Sequence, residues 1–330
     1  MGRNVNFVDL FCGAGLGARG AVAAGAEPVF AVDSWTLAAQ TYAKNFPQSQ
    51  VVCGNVEDID PADVFQVEAE IDVLLTSPEC TSHSIARGNR PTCEASLNTA
   101  ISILPWVNTL SPRWVVVENV SRMKKWDRHQ ELKTDLSELG YTVSELYLNA
   151  AEFGAPQARK RLFLLCDKKG TTTTKEHLNR YLARKARSAK DILDPLETWK
   201  SQPLRRKGRA LATLERANRA IESLGKKVPF LIVYYGSDYA GGWQTLEAPL
   251  RTVTTLDRFG LVTWKNNTPM LRMLQPNELL RAMSGDLGHK LPIGSRREKI
   301  KLCGNGVCSP VLRALFLRMM QLEQNENIAA

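Results

Sequence analysis

The chain has 330 residues, of which 44% are hydrophobic and 23% charged, a composition that excludes wholesale disorder, fibrous repeats and rod-like coiled coils. No apolar run approaches about 18 residues and no leader-like segment precedes the first strand, so we expect a cytoplasmic protein without a membrane span. The net charge of +9 is uneven, because Lys168 to Lys227 contains 17 Lys and Arg against 6 Asp and Glu. This excess predicts a surface for an anionic partner, and a solvated helical surface is the alternative.

The seven cysteines are spread along the chain, and none forms a C-x-x-C pair. This pattern argues against a disulfide framework and against a zinc site, and we expect no bound metal. Reduced thiols are typical of a cytoplasmic protein.

The first half of the sequence alternates strand-like and helix-like segments. Strands are predicted over 5–11, 28–32, 51–53, 71–75, 114–117, 143–148 and 162–166. Helices are predicted from the glycine cluster to Ala24, and over 35–46, 97–110 and 128–139. This alternation predicts an α/β fold, with a mostly parallel, doubly wound sheet between two layers of helices.

The pattern changes after Asp167. Residues 168–230 contain the basic excess and helical pieces such as 211–224, whereas 231–235 and 261–264 are strand-like around a glycine-rich loop at 240–242. From Leu271 the chain is predicted to become helical again, with Pro276-Asn277-Glu278 as the helix start.

A glycine-rich turn follows the first strand, in the segment Val8 to Gly17 with the sequence VDLFCGAGLG. Glycines let the backbone approach a ligand closely, and the N-terminus of the helix that follows favours negative charge. Asp33 ends the second strand, where an acidic side chain is well placed to bind ribose hydroxyls. Together these features favour a nucleotide-like cofactor over a tight turn without a ligand.

Cys80 lies in a loop beyond the fourth strand, where open α/β sheets place their chemistry. A thiolate is a strong nucleophile once its pKa is lowered, although a lone cysteine is more often a buried structural residue.

Charged residues also follow the fifth strand and precede the last. Burial of Glu118 at the sheet edge would raise its pKa and suit it to proton donation, and a capping or surface carboxylate is the alternative. Alternation places Arg159 and Arg161 on one side of an extended segment, where two guanidinium groups can hold planar acceptors or a phosphate.

At this point the sequence resembles the cytosine-5 DNA methyltransferase family over nearly its whole length. DLFCGAGLG resembles the motif that binds S-adenosylmethionine, SPEC the catalytic Pro-Cys loop, ENV the Glu-Asn-Val motif and QARKR the Gln-x-Arg-x-Arg motif. The segments 274–285 and 304–311 resemble the two motifs that follow the target-recognition region. Each string is weak alone, but six in the family's order are specific.

The resemblance implies a Rossmann-like methyltransferase fold with a smaller target-recognition domain. It implies a catalytic domain over 1–166, a basic target-recognition domain over 167–270 and a C-terminal segment over 271–330 that returns to the catalytic domain. It also implies methyl transfer from S-adenosylmethionine to carbon 5 of a flipped-out cytosine in duplex DNA.

The resemblance assigns a role to each catalytic candidate. Cys80 attacks carbon 6 of the ring, which makes carbon 5 nucleophilic. Glu118 protonates or hydrogen-bonds ring nitrogen 3, Arg161 holds the ring carbonyl, and Arg159 steadies the loop or the base.

The cofactor and DNA contacts implied by the resemblance are spread over many residues. The cofactor candidates are Asp9, Phe11, Cys12, Gly13, Ala14, Gly15, Leu16, Gly17, Asp33, Ser34, Asn55, Val56, Pro78, Asn305 and Val307. The DNA candidates are Ser84, Arg87, Arg205, Arg206, Lys207, Trp243, Arg251 and Arg258. Groove contacts are expected from the loop 237–244, which includes Tyr239, and from the stretch 251–258. For any one of these groove candidates, ordinary packing within the small domain is the alternative. We expect a monomer, and the resemblance is compatible with a companion restriction enzyme.

The sequence departs from the family pattern in several places. Glu79 stands where proline usually precedes the cysteine, and its charge should raise the pKa of Cys80. Contact between Glu79 and the amino group of the base is the alternative. Thr81 replaces the usual glutamine. His83 replaces a phenylalanine, Asp33 a glutamate and Asn55 an aspartate. These changes leave the reaction class unchanged, but they leave open how the base is presented and whether the target cytosine is itself modified.

Two rival functions follow from the same residues. One is an RNA cytosine-5 methyltransferase on the same fold, which the basic insert disfavours. The other is an inactive DNA-binding relative, which the joint presence of Cys80, Glu118 and both arginines disfavours. The sequence gives neither the recognised DNA site nor the presence of a restriction enzyme.

Overall fold

The computed structural model describes residues 4–65, 70–78, 99–126, 128–235, 242–285 and 287–329. The strands of the first half are β1 (Asn6–Leu10), β2 (Glu27–Asp33), β3 (Gln50–Cys53), β4 (Val73–Thr76), β5 (Trp114–Asn119), β6 (Thr142–Asn149), β7 (Gln157–Ala158) and β8 (Lys160–Asp167). Seven of them form one sheet in the order β3-β2-β1-β4-β5-β8-β6. All neighbours are parallel except β8, which is antiparallel to both β5 and β6. The predicted α/β fold with a mostly parallel sheet is confirmed.

Helices cover both faces of this sheet. Those of the first half are α1 (Leu16–Ala24), α2 (Thr36–Asn45), α3 (Pro61–Val64), α4 (Leu104–Leu110) and α5 (His129–Glu138). Strand side chains alternate between two buried clusters, so that Phe7 packs with α1 whereas Val8 packs with α4 and α5. The predicted helix over 97–110 begins only at Leu104, because residues 99–103 form turns and 97–98 lie outside the described residues.

A second sheet forms the small domain. Its strands are β9 (Gln202–Pro203), β10 (Phe230–Val233), β11 (Trp243–Thr245), β13 (Phe259–Lys265) and β14 (Thr268–Met273), whereas β12 (Leu250–Arg251) pairs in parallel with β7 of the large domain. The small sheet has the order β11-β10-β13-β14-β9, and α6 (Leu211–Leu224) packs against it. The predicted helix start at Pro276 is confirmed. The boundary predicted at Leu271 is too early, because β14 continues to Met273 and its backbone pairs with β13.

The first part of the basic segment packs on the large domain. Leu178, Ala189 and Ile192 are fully buried in the core that also contains α1. The small domain's own core begins at Leu204. The 168–227 segment therefore lies on two parts of the molecule.

The C-terminal helices pack back against the first helix. They are α7 (Pro276–Ser284), α8 (Arg296–Asn305) and α9 (Ser309–Ala329). The Ser309 hydroxyl donates to the Leu16 carbonyl at 2.6 Å, and a Cβ atom on Gly20 would lie 2.1 Å from the Ser309 carbonyl oxygen. Gly20 is therefore required for α1 and α9 to approach so closely.

One stretch, Arg296–Glu326, is long and apolar enough by composition to cross a membrane. Its most apolar window is 67% buried inside the protein, which is the pattern of a core helix. We therefore treat α9 as part of the core.

Candidate active site

The glycine-rich turn lies at the carboxyl edge of the large sheet, between β1 and α1. Gly13 and Gly15 have φ angles of 54° and 81°, in the region that favours glycine. The Asp33 carboxylate accepts hydrogen bonds from the Gly13 and Trp35 amides, both at 2.8 Å. Asp33 at the end of β2 thus fixes the turn on β1, and it stands at the position that the sequence predicted.

A pocket opens beside this turn. It is lined by Asp9, Phe11, Cys12, Gly13, Gly17, Leu75, Ser77, Asn305, Gly306 and Val307. A Cβ atom on Gly13 would meet nothing within 4 Å, so the turn faces open space there. Burial, and secondarily the charge of Asp33, raises the pKa of the Asp9 carboxyl. Seven predicted cofactor residues line this pocket. Leu75, Ser77 and Gly306 were missed, although Ser77 stands in the SPEC motif and Gly306 in the 304–311 motif.

Other predicted cofactor residues shape the pocket from behind or lie at its margin. Leu16 is buried beneath Gly306, and a Cβ atom on Gly15 would clash with the Phe46 ring at 2.5 Å. Val56 is buried, and Ala14 is buried within the turn. Ser34 is exposed, and the exposed Asn55 amide donates to the Asp58 carboxylate at 2.8 Å.

The Glu118 carboxylate is held at the same edge of the sheet, near the end of β5. The residue is only 7% exposed, and its Oε1 lies 3.1 Å from Nε of Arg161 on β8. Burial raises the pKa of Glu118, and the charges of Arg161 and Arg159 partly oppose this rise. A buried carboxyl with a raised pKa beside a guanidinium can donate a proton or a hydrogen bond to a neutral ring.

Arg159 binds backbone carbonyls. Its side chain is buried, and its guanidinium donates to the carbonyls of Val253 at 2.9 Å, Gly304 at 2.9 Å and Gly306 at 3.1 Å. The charges of Arg159 and Arg161 both act on Glu118, but the two guanidinium groups have different partners. Arg161 faces Glu118, whereas Arg159 ties together backbone segments.

Two further residues of the site escaped the sequence analysis, although both stand in quoted motifs. The buried Asn119 amide donates to the Pro78 carbonyl at 3.3 Å, and so fixes the point at which the chain enters the Cys80 loop. Gln157 is fully buried, and its Oε1 accepts from the Val253 amide at 2.8 Å. The sequence alone does not distinguish an Asn or Gln that caps a turn from one that bridges two segments. The contacts of Asn119 and Gln157 could therefore not be predicted from their motifs.

Cys80, Ser84 and Arg87 lie outside the described residues, as do Glu79, Thr81, His83 and Tyr239. Pro78 is the last described residue before Cys80, and it is buried against Asn119. Pro78, two residues before the predicted nucleophile, thus contacts the strand that contains Glu118.

The DNA candidates of the small domain differ in their exposure and in their contacts within the domain. Arg205, Arg206 and Lys207 are exposed, with Arg205 donating to Asn218 Oδ1 at 2.6 Å. The other candidates interact within the domain. Arg251 donates to the Trp243 carbonyl at 3.1 Å, Arg258 donates to the Tyr234 carbonyl at 2.9 Å, and the partly buried Trp243 packs against the small-domain core.

The start of the basic segment lies at the opposite edge of the large sheet. The Lys168 amide donates to the Arg113 carbonyl at 2.9 Å, immediately before β5 begins, and Lys169 Nζ lies 2.6 Å from Glu326. Glu118 is at the far end of the same strand. The fold therefore separates Lys168 and Lys169 from the Glu118 edge. That the rest of the segment 168–230 holds phosphates stays a prediction.

Within the described ranges, no group of three or more His, Cys, Asp or Glu side chains could hold a metal ion. Five cysteines of the described chain are free thiols, namely Cys12, Cys53, Cys166, Cys303 and Cys308.

The fold and the site together define a Rossmann-like methyltransferase. The order of the seven strands, the glycine turn after β1 and the buried Glu118–Arg161 pair at the same edge all point to this class.

Comparison with known proteins gives the family. Residues 5–321 match the family described as C-5 cytosine-specific DNA methylase. The Type II methyltransferase M.HgiDI of Herpetosiphon aurantiacus is 28% identical over 257 residues, which cover 74% of this chain and 79% of that protein. M.DdeI of Desulfomicrobium norvegicum is 30% identical over 167 residues, or 49% of this chain and 40% of that longer protein.

A solved structure supports the same fold. A mutant of DNMT2 from Spodoptera frugiperda superposes with a TM-score of 0.70 at 16% identity, covering 96% of this chain and 100% of that one. The chain belongs to the C-5 cytosine-specific DNA methylase family: it is a DNA cytosine-5 methyltransferase that uses S-adenosylmethionine.

Proposed function

We propose that Cys80 is the nucleophile that activates the target cytosine, and that the base is flipped out of duplex DNA to reach it. The Cys80 thiolate forms a bond from sulfur to carbon 6, and the displaced electron pair makes carbon 5 nucleophilic. After carbon 5 has been methylated, a base removes its proton, the electron pair returns and the bond to Cys80 breaks. Flipping is required because carbon 6 is unreachable inside a stacked duplex.

Glu118 and Arg161 stabilise the ring during the attack. Glu118 protonates or hydrogen-bonds ring nitrogen 3, so that negative charge does not accumulate on the ring, and Arg161 donates to the ring carbonyl. The raised pKa of Glu118 and its 3.1 Å contact with Arg161 support these roles. We assign Arg159 a positioning role, since its guanidinium binds backbone carbonyls.

The side chains that line the pocket beside the glycine turn suit S-adenosylmethionine by their chemistry. Open space at Gly13, the aromatic side chain of Phe11 and the aliphatic walls at Leu75 and Val307 suit an adenosyl group. We assign its ribose hydroxyls to the Asp33 carboxylate, which binds the Gly13 amide at the end of β2. When bound there, the cofactor supplies the methyl group on a positively charged sulfur. The chain's own contribution is to orient it and to exclude water.

The small domain binds DNA in two ways. Arg205, Arg206 and Lys207 are exposed and meet phosphates, which position the duplex without reading its sequence. Trp243, Arg251, Arg258, Ser84 and Arg87 are the candidates for contacts nearer the flipped base. Arg251 and Arg258 donate to the carbonyls of Trp243 and Tyr234.

We also propose that the protein acts as a monomer in the cytoplasm and that it has a cognate restriction endonuclease. One chain supplies both the cofactor pocket and the Glu118–Arg161 pair, so the chemistry needs no second copy. The matched relatives are named as Type II methyltransferases, which supports a restriction–modification role.

The buried Glu118–Arg161 pair, one strand away from the entrance to the Cys80 loop, is the observation that best supports this proposal. Nucleoside mass spectrometry of DNA and RNA from cells that express the protein tests it. We expect 5-methylcytosine in DNA with the wild type and none with Cys80→Ser, and bisulfite sequencing then gives the sequence context. Methylation confined to RNA, or unchanged methylation with Cys80→Ser, would contradict the proposal.

A further inference from the structure

The cofactor pocket and the DNA-recognition segment meet at one side chain, Arg159. It lies between two stretches that are far apart in the sequence, the 251–258 segment of the small domain and the 304–307 segment that lines the cofactor pocket. Its Nη1 donates to the Val253 carbonyl, and its Nη2 donates to the carbonyls of both Gly304 and Gly306. A planar guanidinium with several fixed donors can hold two backbone segments at a set separation, which a lysine cannot do.

The recognition segment is held at this point by more than one contact. Gln157 accepts from the Val253 amide while Arg159 donates to the Val253 carbonyl, so both polar backbone groups of Val253 are bound by the same short stretch of chain. The Thr252 hydroxyl donates to the Ala158 carbonyl at 3.0 Å, and β12 pairs with β7. Movement of Val253 must therefore be transmitted to Arg159.

The cofactor-lining segment touches the recognition segment directly. A Cβ atom on Gly304 would lie 2.4 Å from the carbonyl carbon of Thr254 and 2.4 Å from the amide nitrogen of Thr255. These are backbone atoms, which cannot swing aside as a side chain would. The 304–306 backbone thus rests on the 254–255 peptide, and Asn305, Gly306 and Val307 form the pocket wall immediately beyond it.

We propose that Arg159 is a positioning residue that couples cofactor binding to DNA binding, an inference that rests on the function proposed above. Cofactor in the pocket fixes 305–307, Arg159 and Gly304 then fix 253–255, and the ordered recognition segment binds DNA more tightly. Such coupling is reciprocal, so DNA must tighten cofactor binding by the same factor.

The coupling can be measured without turnover, with S-adenosylhomocysteine as the probe. Calorimetry and fluorescence anisotropy give the DNA dissociation constant with and without the probe, and the probe's dissociation constant with and without DNA. For the wild type we expect both ratios to be equal and at least about fivefold, the lower end of typical couplings. For Arg159→Met we expect both ratios to fall towards one, with Arg159→Lys in between.

A second variant reaches the same contact without removing a charge. Gly304→Ala inserts a methyl group against the Thr254–Thr255 peptide, and we expect it to lower the coupling ratio as Arg159→Met does. The triple variant Arg205→Ala, Arg206→Ala, Lys207→Ala is the control, because it should weaken DNA binding with and without the probe by the same factor. Circular dichroism melts confirm that each variant is folded at the temperature of the binding experiment.

The outcomes separate the inference from the proposed function. If the wild type binds both ligands with a ratio near one, or if folded Arg159→Met or Gly304→Ala keeps the full ratio, the coupling role is wrong and the proposed function stands. If the wild type binds neither S-adenosylhomocysteine nor DNA, the proposed function itself fails, and the inference fails with it.

Discussion

Cationic side chains differ in almost every physical respect between two regions of the molecule. In the buried cluster formed by Glu118, Arg159 and Arg161, each arginine is largely buried and has a defined partner. In the basic segment 168–227, most cations are exposed, and their ion pairs, such as Lys175 with Glu152 at 2.9 Å, join half-exposed side chains.

The difference shows what a charge at the end of a strand predicts and what a net charge along a segment predicts. A charge at the end of a buried strand has its position fixed by the sheet, so Glu118 and Arg161 meet. A net charge along a segment says nothing about where the chain folds, and Lys168 lies at the edge of the sheet away from Glu118. We therefore expect single substitutions in the cluster to have large effects on turnover, and single substitutions in the basic segment to have small effects on DNA binding.

The largest of these effects is expected at Glu118. Glu118→Gln should lower kcat by about 10²- to 10⁴-fold, because an amide cannot deliver a proton to the ring. The dissociation constant for the cofactor should change little, since Glu118 lies outside the pocket lining. Single-turnover kinetics with labelled cofactor measure both. Glu145→Gln is the matched control, because Glu145 belongs to an ion-paired cluster on β6, and equal losses in both variants would show that Glu118 is merely structural.

Arg161→Lys should lower kcat by about 10²-fold, within the range found when one transition-state donor is removed. Lysine keeps the charge but loses the planar geometry that meets both Glu118 and a ring carbonyl. Arg128→Lys, at an exposed Arg–Glu pair on the surface, is the control and should retain wild-type turnover. Full activity in Arg161→Lys would mean that charge alone is required, and the geometric argument would fail.

In the basic segment, the Arg205–Lys207 triple variant should flatten the salt dependence of DNA binding by about 0.9 log unit per log unit of salt for each phosphate that it no longer neutralises. Affinity for cognate and scrambled duplexes should fall equally, because phosphate contacts do not specify sequence. A matched variant with Lys168→Gln and Lys169→Gln should leave the slope unchanged, since these residues lie at the opposite edge of the sheet. A salt titration that gives both variants the same slope would remove the distinction between the two faces.

The smallest effect concerns the pH dependence of stability. Because burial raises the pKa of Glu118 above 4.5 in the folded protein, the folded state binds this proton more tightly than the unfolded state does. The contribution of Glu118 to stability is therefore present below about pH 4.5 and is lost as the pH rises through the folded pKa. Denaturant unfolding of wild type and Glu118→Gln at several pH values should show the wild type losing its relative stability as the pH rises. A gain over that window would mean that Arg161 outweighs burial.

The sequence was sufficient for the large sheet and much of the site, for physical reasons. Buried parallel strands are continuous apolar runs, and the residues that follow them meet at one edge, so Asp33 and Glu118 could be placed from the chain alone. The binding partner of a buried arginine could not be predicted from the chain alone. Arg159 reaches carbonyls that are 94 and 145 residues away, and no periodicity encodes such contacts.

The small domain was harder to predict because its strands are short. β9, β11 and β12 have two or three residues each, which is too few for an alternation to be visible. They are held by tertiary pairing, such as that between β7 and β12, rather than by their own composition.

The central claim is that Cys80 bonds covalently to a cytosine held by Glu118 and Arg161. It is tested most directly with duplex DNA that contains 5-fluorocytosine at the target site. Fluorine replaces the carbon 5 proton that a base must remove, and it cannot be removed as a cation, so the adduct persists. Denaturing electrophoresis and mass spectrometry should show a covalent protein–DNA complex with the wild type, with the link at Cys80, and none with Cys80→Ser. An adduct that forms in Cys80→Ser, or a wild type that methylates cytosine yet gives no adduct with this DNA, would contradict the account.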